Sequence, residues 1–421
     1  MSAPDTHRVA AAIWRIESAQ LIAVLVRLLQ NVALAEEVAQ DVFVEALDRW
    51  RENGVPDNPG GWLMTAAKHR AFDALRRTRR VERGSERLEH ELEPSQPADF
   101  EESPDDVVGD DLLRLMFVAC HPVLSSEARV ALTLRLLGGL TTDEIARAFL
   151  VPEPTIAQRI TRAKRTLADR AVPFELPQSA DLHARLEAVL EVIYLVFNEG
   201  YLATQGDDWM RPALCQDALR LGRILAERLP TESEVHALVA LMEIQASRAR
   251  ARSGPNGEAV LLLDQDRSAW DALLVRRGLD ALTRAEALAT GGAGPYLLQA
   301  AIAACHARAR EAIDTDWTRI AALYAALMRV APSPVVELNR AVAASMAFGP
   351  AAGLAIVDPL RADPALAQYP FLPSVRADFL AKLGRFAEAR AEVERAAALT
   401  KNARERSLFL ERAAAYARER G

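Results

Sequence analysis

Apolar residues along this chain recur at intervals of three and four, the period of a helix with one buried face. Ala35, Val38, Ala39, Val42, Phe43, Ala46 and Trp50 form one such stripe and leave Glu36, Glu37, Gln40 and Asp41 mainly on the other flank. Asn58-Pro59-Gly60-Gly61 interrupts the pattern. A new helix is expected from near Trp62, with Leu63, Ala67, Ala71, Ala74 and Leu75 inward. No segment alternates long enough to require a strand, so the expected fold class is all-α.

Gly/Pro turns separate a long series of alanine-rich helices from about residue 181 onward. Near its end, stretches beginning at Leu338 and Val375 align at an offset of 35 or 36 residues, the weak signature of an internal repeat. The second carries Leu380, Leu383-Gly384-Arg385, Glu388 and Ala389, close to the grammar of tetratricopeptide helix pairs.

The 421 residues exceed one ordinary domain, and 50% hydrophobic with 26% charged residues is a globular composition. The apolar run Leu21–Leu29 contains Arg27, and no run is expected to reach the roughly 20 residues of a membrane span. Cys120, Cys215 and Cys305 form no CxxC pair, which argues against a disulfide framework or a cysteine-rich zinc site and suits a reducing cytoplasm.

Charge changes the picture, because the net value of −7 conceals blocks. Lys68–Arg83 holds seven Lys/Arg, Gly84–Asp111 eleven Asp/Glu, and Glu153–Arg170 five Lys/Arg. The acidic block, with Pro94, Pro97 and Pro104 and no helical period, is expected to be a flexible linker. Pro173 and Pro177 mark a second boundary. The resulting plan is a helical domain over 1–83, a linker over 84–111, a small helical domain over 112–170 and a large one over 181–421.

Two constellations carry candidate chemistry. Thr141 and Glu144 make a capping box for a short helix; Pro154 opens the next, with Ile156, Ile160, Ala163 and Leu167 on one side. Its other side presents Thr155, Gln158, Arg159 and Arg162, with Lys164 and Arg165 beyond. Two short helices with a basic second member make a helix-turn-helix, whose second helix fits a DNA major groove. The bland alternative is a solvated arginine face. The second constellation, Trp62, Thr65, His69, Phe72 and Arg76, falls along one helical face suited to unpaired bases, although Trp62 and Phe72 serve equally well as core.

Residues 35–50, 62–77 and 140–167 together resemble, in order and spacing, regions 2.2, 2.3–2.4 and 4.2 of sigma-70-type factors of the extracytoplasmic-function class. The remainder, with NEGY at 198–201, DQDRSAWD at 264–271, TDW at 315–317 and LNRAV at 338–342, resembles the subgroup with a tetratricopeptide-like C-terminal extension. The resemblance implies a sigma region 2 bundle, an acidic linker, a region 4 helix-turn-helix domain and the extension. It places Glu36, Glu37, Gln40, Asp41 and Phe43 at the β′ clamp helices of core RNA polymerase, with the β flap as a further contact. Trp62, Lys68, His69, Arg70, Arg76 and Arg77 become candidates for the −10 element, with His69 standing where the family often has asparagine. Thr155, Gln158, Arg159, Arg162, Lys164 and Arg165 become candidates for the −35 element. The resemblance implies that the acidic linker threads the polymerase's RNA path; a merely solubilising spacer is an equal alternative.

No HExxH, GxSxG or phosphate-binding glycine loop supports catalysis, so a non-enzymatic cytoplasmic protein without cofactor or metal is expected. In the extension, Asn198, Glu199, Asp264, Asp266, Arg267, Asp316 and Trp317 read as caps and inter-helix hydrogen bonds before they read as a pocket. Its helical array is expected to offer a groove to a protein or peptide and to influence activity. The competing reading is a stand-alone helix-turn-helix regulator with a repeat-type sensor, which leaves the motifs at 35–77 without a purpose.

Overall fold

Asn31 stands between the first two helices, α1 (Ala3–Leu29) and α2 (Val32–Asn53), and its side chain accepts from the amides of Ala33 and Leu34. That N-cap satisfies donors which a helix start leaves orphaned, and lets the chain reverse within two residues. The computed structural model describes residues 3–419, apart from 86–103, 150, 178, 202–209, 253, 255–259 and 401–402. Among the described residues there are eighteen α-helices and no strand. They divide into two compact units, Met1–Ile193 and Tyr194–Gly421.

The first unit continues with α3 (Pro59–Ser85), α4 (Pro104–Ala119), α5 (Ser126–Leu136), α6 (Thr142–Phe149) and α7 (Glu153–Asp169). The unit boundary falls within α8 (Ser179–Tyr201), beyond the residue 181 that the proline pattern suggests. The expected α2 stripe is buried at Ala35, Val38, Ala39, Val42, Ala46 and Trp50, and α3 buries Leu63, Ala67 and Ala71. Two expectations need correction. Val9–Leu29 is long and apolar enough to cross a bilayer, because its charges are sparse and scattered among Ala, Ile, Leu and Val. Here Leu21, Ile22, Ala23 and Leu25 of this helix are instead buried in protein. Pro104 to Asp111, read as linker from their acidity, are the first half of α4: Asp111 is fully buried and ion-paired with Arg27 of α1 and Arg114. The bulk of the acidic linker, 86–103, lies outside the described residues.

The second unit comprises α9 (Pro212–Arg228), α10 (Ser233–Ser247), α11 (Ala272–Leu288), α12 (Pro295–Arg308), α13 (Trp317–Val330) and α14 (Pro334–Phe348). It closes with α15 (Pro350–Leu360), α16 (Phe371–Lys382), α17 (Phe386–Leu399) and α18 (Ala403–Arg418). Gly349 and Gly384, the pair in register in the repeat, both have positive φ, at 94° and 75°, and each follows the end of a helix. Glycine reaches that backbone region without a Cβ penalty, so the repeat is a repeat of helix stops. Buried carboxylates tie the helices together. Glu243 of α10 faces Arg223 of α9 at 2.9 Å and Arg277 of α11 at 3.4 Å. Glu234 of α10 accepts from the amides of Tyr296 and Leu297, capping α12 from a neighbouring helix. Asp266 and Asp316 are N-caps, as the bland reading of these residues expects.

Gly278 lies within α11, where a Cβ would meet Ile244 Cγ1 at 2.6 Å and the Ala240 carbonyl oxygen at 3.2 Å. Alanine ordinarily stabilises a helix interior by about 1 kcal/mol over glycine. Gly278→Ala is expected to destabilise by about 1–3 kcal/mol, since the contact is overpacked. Gly291→Ala, with open space around it, is the control. Thermal denaturation of the full chain decides the sign.

Candidate nucleic-acid interface

The capping box at the start of α6 is formed in both directions: Thr141 N–H donates to Glu144 Oε2 at 2.8 Å, and Glu144 N–H to Thr141 Oγ1 at 3.1 Å. Pro154 lies in the first turn of α7, which buries Ile156, Ile160, Ala163 and Leu167 against the domain. This stripe fixes the rotation of α7 and turns Gln158 and Arg162 to solvent, with Thr155 and Arg159 at its flank. Arg165 is exposed and only loosely paired with Asp169, at 3.5 Å. Such a paired, exposed contact holds a cation weakly and leaves it available to phosphate.

On α3, Lys68, His69, Arg76 and Arg77 are exposed. Arg76 approaches Asp73 at 3.7 Å. Trp62 is half-buried: its ring meets Trp50 edge-on at 5.7 Å, and the Arg49 guanidinium lies 5.9 Å from its centroid. Phe72 is the exposed aromatic of this face, at 43%. Arg70, a candidate −10 contact, is engaged within the domain. It donates to Glu45 at 2.8 Å and to Asp41 at 3.2 Å, so it fastens α3 to α2.

The α2 face is likewise divided. Glu37 and Asp41 are exposed, although Asp41 is engaged by Arg70. Phe43 is half-buried, with its ring packed on Trp14 of α1 at 4.6 Å. Glu36 is only 3% exposed and is bound by cations from two other helices, Arg135 Nε of α5 at 2.6 Å and Lys164 Nζ of α7. Gln40 donates to the same carboxylate at 2.7 Å. Thus the candidate polymerase-facing residue Glu36 and the candidate DNA-facing residue Lys164 occupy each other. Burial pushes the Glu36 carboxyl up, but Lys164 and Arg135 outweigh it and hold it below its ordinary 4.5. Two further pairs join the same modules, Arg27–Asp111 at 2.8 Å and Arg15–Glu144 at 3.1 Å. Sequence reasoning misses Arg15, Arg27, Asp111 and Arg135, because their partners are far away in the chain and no local spacing marks them.

Removing the Glu36 charge strands two cations at a buried contact, a loss worth about 3–5 kcal/mol when one partner of a buried pair is deleted. Glu36→Ala is expected to raise amide exchange in α2 and α7 by roughly a hundredfold or more in the full chain. Lys68→Ala, on an exposed face, is expected to leave it unchanged. A depressed folded carboxyl favours the folded contact above the unfolded value and loses that contribution as pH falls through the folded one. The contact is therefore expected to persist to pH 4.5 and to release below it, read by the same exchange experiment.

Comparison with known proteins agrees with this division. The model of sigma-70 region 2 matches residues 14–81, and that of sigma-70 region 4 matches residues 114–167. A family of unknown function, DUF6596, matches residues 185–286. An uncharacterised protein of Rhizobium meliloti (strain 1021), R00370, is 43% identical over 387 residues, covering 92% of this chain and 90% of the relative. The crystal structure of yeast Tom70 covers 99% of this chain and 86% of its own at 11% identity, but with a TM-score of 0.32 it carries no argument. With sigma-70 regions 2 and 4 matched in order, the chain belongs to the sigma-70 family of transcription initiation factors and carries a C-terminal helical extension.

Proposed function

We propose that this sigma factor is of the extracytoplasmic-function type, binds core RNA polymerase through α2, and directs it to promoters through α3 and α7. The observation that carries the reading is the rotation of α7. Ile156, Ile160, Ala163 and Leu167 are buried, and its polar and cationic side chains therefore lie mainly on the opposite face. Thr155, Gln158, Arg159 and Arg162 lie toward the N-terminal half, where a recognition helix reaches base edges, and Arg165 lies where phosphate is met. On α3, Lys68, His69, Arg76 and Arg77 supply the −10 contacts, with exposed Phe72 able to stack on an unpaired base. Trp62, held on Trp50, acts as the wall of that face.

The β′ clamp helices would meet Glu37 and Asp41 first. Exposed Gln40 lies beside them, and Glu36 joins that surface only after Arg135 and Lys164 let go, with Lys164 released to DNA by the same event. Polymerase docking and DNA reading are thereby coupled, with the structure as the closed form. The β flap would engage the region 4 domain, and the C-terminal unit would set activity from the same cytoplasmic chain.

Full-length protein mixed with core polymerase and a promoter library is expected to co-elute with the polymerase and give run-off transcripts. Tight promoter binding without polymerase, and no transcript with it, would instead favour a stand-alone regulator. Arg159→Ala is expected to cost about 1–3 kcal/mol and relax discrimination at one −35 position, whereas Arg165→Ala weakens all sequences alike and lowers the salt slope by about one. Selection profiles on a randomised −35 element distinguish the two outcomes. Glu37→Lys is expected to abolish co-elution while leaving the circular dichroism unchanged.

A further inference from the structure

In the C-terminal unit, side chains from α8, α10, α12, α13 and α14 surround a cavity of about 250 Å³. That exceeds the ~150 Å³ of an engineered cavity that holds benzene. Its walls include Leu241, Ile302 and Leu327; its polar lining includes Arg248, Gln245, His306 and Tyr324 and, among the described residues, no carboxylate.

Arg248 is the centre of the argument. It lies 5.7 Å from the ring centroids of both Tyr201 and Trp270, positioned by cation–π contact. Among the described residues it has no ion pair, and its Nε is buried without a hydrogen-bond partner. Neighbouring Arg267 is otherwise engaged, donating to the carbonyls of His306 and Ala309 and to the Thr315 hydroxyl. His306 is 8% exposed and its Nδ1 is unpartnered. Burial first, then Arg248 and Arg267, push its pKa down to about 4, so it is neutral at pH 7. Burial pushes the Tyr324 hydroxyl up to about 12, which keeps it a donor, and it makes no hydrogen bond among the described residues.

A guanidinium without a counter-ion among the described residues, with neutral donors and an apolar side to the same space, calls for an acceptor of single negative charge. We propose that this cavity binds a small organic monocarboxylate, its carboxylate on Arg248 and Tyr324 and its body against Leu241, Ile302 and Leu327. A carboxylate matches the fork-shaped guanidinium of Arg248, which has no ion pair among the described residues, and Leu241, Ile302 and Leu327 offer an organic body an apolar surface that inorganic phosphate leaves unused. The site is separate from the promoter-reading helices, so the proposal stands whether or not the reading of α3 and α7 does.

Isothermal titration of the full chain at pH 7 tests it, with sodium butyrate, benzoate, phenylacetate and phosphate at matched ionic strength, and benzamide as the uncharged control. At least one carboxylate is expected to bind saturably at one site, and benzamide to bind at least tenfold more weakly. Arg248→Gln is expected to weaken that carboxylate tenfold or more, and Tyr324→Phe by several-fold, with the circular dichroism of each variant unchanged. Should Arg248→Gln fail to fold, Tyr324→Phe alone decides. No carboxylate binding, binding of phosphate alone, equal binding of benzamide, or full affinity in a folded variant would overturn the proposal.

Discussion

A carboxylate removed from water must be paired or neutralised, and Glu36 is paired twice, by Arg135 and by Lys164. Everything distinctive about the first unit follows from where those cations originate. One is on α5 and the other on α7, the proposed recognition helix, whereas the carboxylate is on α2, the helix proposed to meet the polymerase. Coulomb attraction across a largely dry contact is strong, but desolvation offsets much of it, so such a pair holds a particular arrangement better than it adds net stability. That is the property a contact needs if it is to be exchanged for a competing partner. An apolar interface of the same size would hold the two modules together with no charge left to offer.

The other pairs between the modules differ in a useful way. Arg27–Asp111 brings α1 to the beginning of α4, and for Asp111 burial wins over its two arginines, raising its pKa. For Glu36 the cations win. Two buried carboxylates in the same unit thus respond oppositely to their surroundings, and only the lowered one favours the closed contact in its charged form. Arg15–Glu144 is half-exposed and screened, and contributes little by comparison.

In the C-terminal unit the same electrostatics are used in a different way. Glu243 with Arg223 and Arg277, and Arg376 with Asp358 and Glu392, are closed networks that pin neighbouring helices. Arg248 is the contrast, since its charge rests on aromatic faces and opens toward a cavity that has no carboxylate among the described residues. The cations of those networks meet carboxylates and Arg267 meets carbonyls and a hydroxyl, whereas Arg248 has no ion pair and an unpartnered Nε among the described residues, and that difference identifies the cavity.

Local periodicity was sufficient for the elements and their buried faces: the stripe of α2, the capping box of α6, the rotation of α7 and the glycine stops of the repeat all depend on residues within a few positions of one another. These are short-range effects, and a chain carries them in plain view. Its limits follow the same physics. Phe43 reads as surface or core equally well until Trp14 is placed beside it, and Arg70 reads as a phosphate contact until Asp41 and Glu45 are seen to claim it. Pro104 to Asp111 read as linker because acidity was counted without Arg27, the distant partner that makes burial of Asp111 tolerable. The burial of Glu36 and the convergence of Arg248, His306 and Tyr324 on one cavity required the tertiary structure, since charge compensation over long sequence separations leaves no periodic trace.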